Sequence, residues 1–234
     1  MAWISGAQIM NGPEGQVSVD STYQNLVLKY RRTIPGGAFY PQPGAAVGGI
    51  FQYSLTFPIA GYPLVFVKSD SVVAHIVQPV GGQITIWFYS EMSRPAGNVE
   101  VLIFAQWDYP PGNVGIQAYT EAGKLTYDAA WPVMMIRQKF AIGSDNAGNW
   151  QSVVLTLDNA AIAITHARYS IQTSTVAGIV RCVGCRTAGR TGAFAGVAFA
   201  TGNGTSGSVF LQINKGQSTC LAINVNEYPP APFG

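Results

Sequence analysis

Gly115-Ile116-Gln117-Ala118-Tyr119-Thr120-Glu121-Ala122-Gly123-Lys124-Leu125-Thr126-Tyr127-Asp128 restates a pattern that stands near the start of the chain. There it reads Gly6-Ala7-Gln8-Ile9, then Gly15-Gln16-Val17-Ser18-Val19-Asp20. Both copies run Gly-x-Gln, a turn that carries Gly, an alternating strand, and Asp. The spacing is 109 residues from Gly6 to Gly115 and 108 from Asp20 to Asp128. The local physics is that of a hairpin. Glu14-Gly15 and Ala122-Gly123 place at the turn the one residue that enters positive φ without a steric penalty, and the flanking period-two runs supply the strands.

Working outward, the likeness continues. Six residues past each Asp an apolar run gives way to basic residues: Leu26-Val27-Leu28-Lys29-Tyr30-Arg31 and Met134-Met135-Ile136-Arg137-Gln138-Lys139. Both copies also end alike. Val101 to Phe104 leads to Asp108-Tyr109-Pro110-Pro111, and Leu221 to Val225 leads to Glu227-Tyr228-Pro229-Pro230, with 119 residues between the two tyrosines. Motifs at both ends, in order and at near-constant spacing, identify an internal repeat. The second copy is about ten residues longer, and the Gly-rich stretch from Arg186 to Gly207 is the expected insertion. Tyr-Pro-Pro stops a strand because proline has no N–H to give to a ladder. The expected domains are residues 1–111 and 112–234, joined by the short, stiff Pro110-Pro111-Gly112-Asn113.

The rest of the chain reads as strands and turns. Gln83 to Tyr89, Val99 to Phe104, Val153 to Leu157, Ser208 to Ile213 and Cys220 to Val225 are rich in β-branched and aromatic residues. Gly36-Gly37, Gly81-Gly82 and Pro95-Ala96-Gly97-Asn98 are turn candidates between such runs. With 27 Gly and 14 Pro, long helices have little room, and the segment from Asp158 to Tyr169 fits a strand at least as well as a short helix. The expected fold class is all-β: two tandem, related β-sandwich modules of jelly-roll-like form.

Composition narrows the function. Only 10% of residues are charged, against about 25% in ordinary soluble domains, while 48% are apolar. Such a surface sheds little hydration on contact, which suits a subunit of an assembly. Net charge is +2, with no basic tail or run, so no nucleic-acid partner is expected. No run approaches the roughly 18 apolar residues of a membrane-spanning helix. Met1-Ala2-Trp3-Ile4-Ser5-Gly6 lacks the charged leader and apolar region of a signal peptide, and three cysteines are an odd number. The chain is therefore expected to fold in a reducing cytoplasm without a disulfide framework.

The chemical motifs weigh against catalysis. Gly202-Asn203-Gly204-Thr205-Ser206-Gly207 has dinucleotide-loop spacing, but a strand-like run follows it where a phosphate site needs a helix N-terminus. Asn203-Gly204-Thr205 is a glycosylation sequon that has meaning only on a secretory route. Cys182-Val183-Gly184-Cys185 has zinc-knuckle spacing, but only Cys220, His166 and His75 could complete four ligands, so plain core thiols are the simpler account. Neither a Gly-x-Ser-x-Gly elbow nor a His-Glu-x-x-His helix occurs. The repeated acids Asp20, Asp128, Asp108 and Glu227 fit the bonding of turns better than acid–base work. Trp87, Phe88, Tyr89, Trp107, Tyr109, Trp131 and Trp150 could stack on sugars, although aromatics on alternating strands more often fill a core. No cofactor, metal or catalytic residue is expected.

The Gly115–Asp128 stretch, and more loosely Gly6–Asp20, resembles the opening hairpin of small tail-tip and tail-fibre-associated structural proteins of tailed bacteriophages. The resemblance covers about thirty residues, and this chain departs from it in holding two copies. It implies a virion protein of the distal tail (tip, baseplate or fibre), made in the host cytoplasm, bound to other tail proteins and assembled as a homo-oligomer, a dimer or trimer. A host cell-surface receptor or carbohydrate is the alternative partner. The residues expected to meet partners are Tyr109, Pro110, Tyr228, Pro229, Pro230 and Phe233, with Arg186, Arg190 and Asn203 as surface-loop contacts.

Overall fold

A computed structural model describes residues 8–11, 16–20, 25–43, 49–58, 61–91, 93–106, 117–119, 122–143, 151–165, 169–173, 177–203, 209–213 and 218–229. The chain is nearly all β, in several antiparallel sheets. In chain order the strands are β1 Gln8–Asn11, β2 Gln16–Asp20, β3 Val27–Ile34, β4 Tyr40–Pro41, β5 Ile50–Phe57, β6 Leu64–Lys68, β7 Ala74–Val80, β8 Gln83–Glu91, β9 Val99–Ala105 and β10 Gln117–Tyr119. There follow β11 Leu125–Asp128, β12 Gln138–Ile142, β13 Gln151–Val154, β14 Ala160–Ile164, β15 Tyr169–Thr173, β16 Ala177–Ala188, β17 Thr191–Asn203, β18 Val209–Ile213 and β19 Ser218–Asn224. Two single 3-10 turns, Gly36–Ala38 and Val225–Glu227, complete the described elements.

The two quoted stretches fold as the hairpin reading requires. β1 pairs with β2 and β10 with β11, each as a two-stranded antiparallel sheet. Gln8 faces Asp20 and Gln117 faces Asp128, and each ladder carries an irregularity after its second pair. Gly123 turns the second hairpin at φ +76, and Gly81 and Gly82 turn β7 into β8 at φ +57 and +79. These are left-handed values that an L side chain resists. Gly15 lies outside the described residues. The segment from Asp158 to Tyr169 is a strand, not a helix, over Ala160–Ile164.

Asp128 explains why an acid closes the second pattern. Its carboxylate is fully buried, accepts from Gln117 Nε2 at 2.8 Å, and accepts from the Ala130 backbone N–H at 2.8 Å. One side chain thus ties both strands and the turn that follows. Asp128→Ala leaves two donors with no acceptor, and we expect a loss of about 2 kcal/mol, read as a lower urea midpoint at unchanged slope.

The central sheet has six strands in the order β12-β19-β14-β6-β9-β3. It reads alike from both ends: first long strand, closing strand, middle strand. The registers match rung by rung. Arg31 faces Leu102, and 108 and 119 residues further on Lys139 faces Leu221. Phe66 faces Leu102 as Ala163 faces Leu221. The two halves of the sheet meet between β14 and β6 at the pair Ile162 and Val67. The sheet therefore runs through both sequence halves and across the 111/112 boundary. The start of β3 also pairs with the segment before β12: Leu28 N–H donates to Pro132 O at 2.8 Å and Met134 N–H to Leu26 O at 2.9 Å.

On one face of this sheet lie the four-stranded sheet β4-β5-β8-β7 and the five-stranded sheet β13-β17-β16-β15-β18. The main core draws on all three sheets and both halves, with Phe39, Phe57, Ile86, Phe88, Val101 and Ile103 beside Ile142, Leu155, Ile162, Phe194 and Ala222. The other face of the central sheet buries Leu28, Phe66, Leu102, Phe104, Ala161 and Ile223 under Tyr228 and the segment around Met134. With both faces covered, β14, and β9 apart from Glu100, read as continuous apolar runs instead of alternating ones.

The second half differs from the first in two ways. β16 and β17 have 12 and 13 residues against 7 and 9 in β7 and β8. β15 and β18 also widen its outer sheet. Of the stretch from Arg186 to Gly207, expected as a Gly-rich insertion, the described part to Asn203 is mostly regular hairpin, and residues 204–207 lie outside the described residues. The added strands flank it on either side.

Candidate functional site

Among the described residues, the expected contact residues do not come together. Arg186 lies near the closed end of the β16–β17 hairpin and Arg190 in its turn, both exposed. Arg190 bonds Thr156 O at 3.1 Å and pairs with Asp158 at 3.4 Å. Asn203 ends β17 opposite Ala177, at the other end of the ladder. At 3.2–3.4 Å per strand residue, that is on the order of 35 Å away. Tyr228 is buried: its ring meets Phe104 edge-on at 5.1 Å and its hydroxyl accepts from the Met135 backbone N–H at 2.7 Å. Pro229 is exposed. Tyr109, Pro110, Pro230 and Phe233 lie outside the described residues.

The cysteines behave as core thiols. Cys182 and Cys185 are three apart on β16, so they point to opposite faces of the strand and cannot grip one ion together. Cys182 packs with Ala74, Tyr89 and Val197, and Cys185 enters the main core near Cys220. All three are free and buried, and burial pushes the first two thiols up to about 12. Among the described residues no group of three metal-ligating side chains forms. Desolvation holds the His75 imidazole down at about 4, neutral through the physiological range. Of the aromatics weighed for sugar stacking, Phe88, Tyr89 and Trp131 are buried and Trp87 packs on the Tyr89 cluster. Trp107, Tyr109 and Trp150 lie outside the described residues.

Among the described residues, one polar site is not assembled by sequence reading. At one end of the central sheet, Thr33 on β3, Glu100 on β9 and Lys68 on β6 stand in a single row. Together with Ser69, Asp70 and Asn98 they line an open cleft of about 350 Å³. Glu100 is the most anchored side chain of this lining. Arg31 donates to Glu100 Oε1 from Nε at 2.8 Å and again from Nη2, and Lys68 Nζ stands 3.6 Å from Oε2. The second amino group of Arg31, Nη1, donates to the carbonyls of Tyr228 and Val225. One guanidinium thus fixes the cleft's carboxylate and holds the end of the second half onto the first, a fork geometry that lysine lacks. The only trace in the sequence is Glu100 itself, a charge set inside the apolar run Val99 to Phe104.

Compared with family models, with curated proteins and with solved structures, the chain matches none.

Proposed function

We propose that this chain is a structural component of a bacteriophage virion, placed in the tail tip, baseplate or fibre, and that it works by protein–protein contact and not by catalysis. It is made in the host cytoplasm and assembles as a homo-oligomer or with neighbouring tail proteins. The observation that carries the reading is the doubled hairpin. The stretches that resemble the tail proteins pair Gln with Asp in the same register at both sites. Each stays a two-stranded sheet with no third strand among the described residues. Hairpins of this kind present backbone N–H and C=O groups on their outer edges, of which Thr126 O already accepts from Asn25, and a strand of a neighbouring subunit can add there.

The organisation belongs to the same proposal. Residues 1–111 and 112–234 are two copies of one jelly-roll-like module, fused so that their inner sheets continue into each other. What supports this is the match of registers at spacings of 108 and 119 residues and the outer order β5-β8-β7, which returns as β13-β17-β16.

The test is to label particles of the phage that encodes the chain with antibodies raised against it. We expect label at the distal tail and the chain in the peptide digest of purified particles. Its absence from washed, infectious particles overturns the proposal.

A further inference from the structure

The matched halves of the central sheet provide an internal control for the polar cleft. The row Thr33, Glu100 and Lys68 has as its counterpart Ala141, Thr219 and Thr165, and there the fold closes with no charge at all. Sheet pairing therefore does not require a carboxylate and an ammonium in this row. Beyond the Lys68–Glu100 pair, two of the cleft's polar side chains are not spent within it. Among the described residues, Asp70 and Asn98 are exposed with no hydrogen bond or ion pair to another side chain. The Lys68–Glu100 separation of 3.6 Å is long for a hydrogen bond and leaves the ammonium donors open.

From this geometry we infer that the cleft is a binding site for a saccharide, held through neighbouring hydroxyl groups by Asp70, Asn98 and Lys68. A free carboxylate accepts two hydroxyl hydrogens, an amide donates and accepts side by side, and an ammonium donates to the remaining oxygens. A hydroxyl-rich ring can answer all three at once. An apolar ligand would strand them, and burying unpaired polar groups costs too much. The volume of about 350 Å³ lies at the small end of ligand sites and holds one or two sugar rings. Glu100, already fixed by Arg31, is a preset acceptor in the lining and needs no reordering on binding. Binding at one open cleft of this kind is weak, in the millimolar range, and gains strength only when several copies engage one surface. The inference does not depend on the tail assignment, since it concerns the isolated chain.

The experiment is a printed glycan array probed with the full-length chain coupled in many copies to fluorescent beads, so that millimolar contacts add up. The best glycan is then titrated into isotope-labelled protein while its amide signals are followed. We expect shifts centred on residues 33, 68–70 and 98–100, and none at 141 or 219. Asp70→Ala and Asn98→Ala should each weaken binding about 10-fold or more, with melting temperature unchanged because both side chains are exposed. A blank array overturns the inference. So do shifts that centre elsewhere, or binding that survives both substitutions.

Discussion

Gly36→Ala lowers the stability of the folded chain by about 3 kcal/mol, while Gly37→Ala, one residue on, changes it by less than about 0.5 kcal/mol. A Cβ on Gly36 would sit 2.0 Å from the carbonyl oxygen of Pro95 and 2.7 Å from that of Gly97. Both are backbone atoms, so no rotamer change relieves the overlap, and the 3-10 turn or the loop before β9 must move. Either movement disturbs buried structure. Phe39, which follows the turn, is fully buried in the main core, and Val99, which follows the loop, is buried too. A Cβ on Gly37 meets nothing within 4 Å. Chemical denaturation of the two variants side by side is the measurement. Equal midpoints for Gly36→Ala and Gly37→Ala would show that the close approach of the two backbones carries no energetic weight.

Removal of Arg31 has the second large effect. In Arg31→Ala the Glu100 carboxylate keeps only the distant Lys68, and the carbonyls of Tyr228 and Val225 lose a donor. The side chains of Arg31 and Glu100 are only 14% and 17% exposed, so little water replaces what is lost. Breaking a well-buried pair costs 3–5 kcal/mol, and at this partial exposure we expect about 2 kcal/mol. Part of that loss belongs to Glu100 and part to the Tyr228 segment, and a double-mutant cycle with Glu100→Gln separates them. The coupling between the two should account for about half of the loss. The remainder should appear as faster amide exchange at residues 225–228. A coupling near zero would mean that the guanidinium acts on the carbonyls alone. Arg31→Lys should restore only part of the stability, because one ammonium cannot serve a carboxylate and two carbonyls at fixed directions.

The same two residues show where sequence reading stops. Gly36-Gly37 reads as a turn, and a turn forms there, but the two glycines look alike in the sequence. They differ only because Pro95, some sixty positions away, comes to rest against one of them. In the sequence Arg31 is one of the basic residues that follow the apolar run from Leu26. Its partners sit on β9 and past β19, so its role exists only once β3 lies at the edge of a shared sheet. Tyr228 and Pro229 read as residues that meet a partner. Within the chain the ring of Tyr228 packs on Phe104 of the first half, because an aromatic with its hydroxyl satisfied gains more from burial than from water.

What the residues dictate by themselves is local. Period-two runs, glycine at positions of positive φ and proline at strand ends make this chain a β protein. Two similar stretches with Gln and Asp at matching places make two similar hairpins, because the turn and the cross-strand pair are encoded within fifteen residues. What only the tertiary structure decides is how the halves meet. The central sheet joins them at Ile162 and Val67, and the pairing of Leu26–Leu28 with Pro132–Met134 crosses between them. The Thr33–Glu100–Lys68 row gathers three strands into one cleft. Strand pairing over a hundred positions is chosen by the burial of whole faces and not by any local pattern, so no stretch of the sequence announces it.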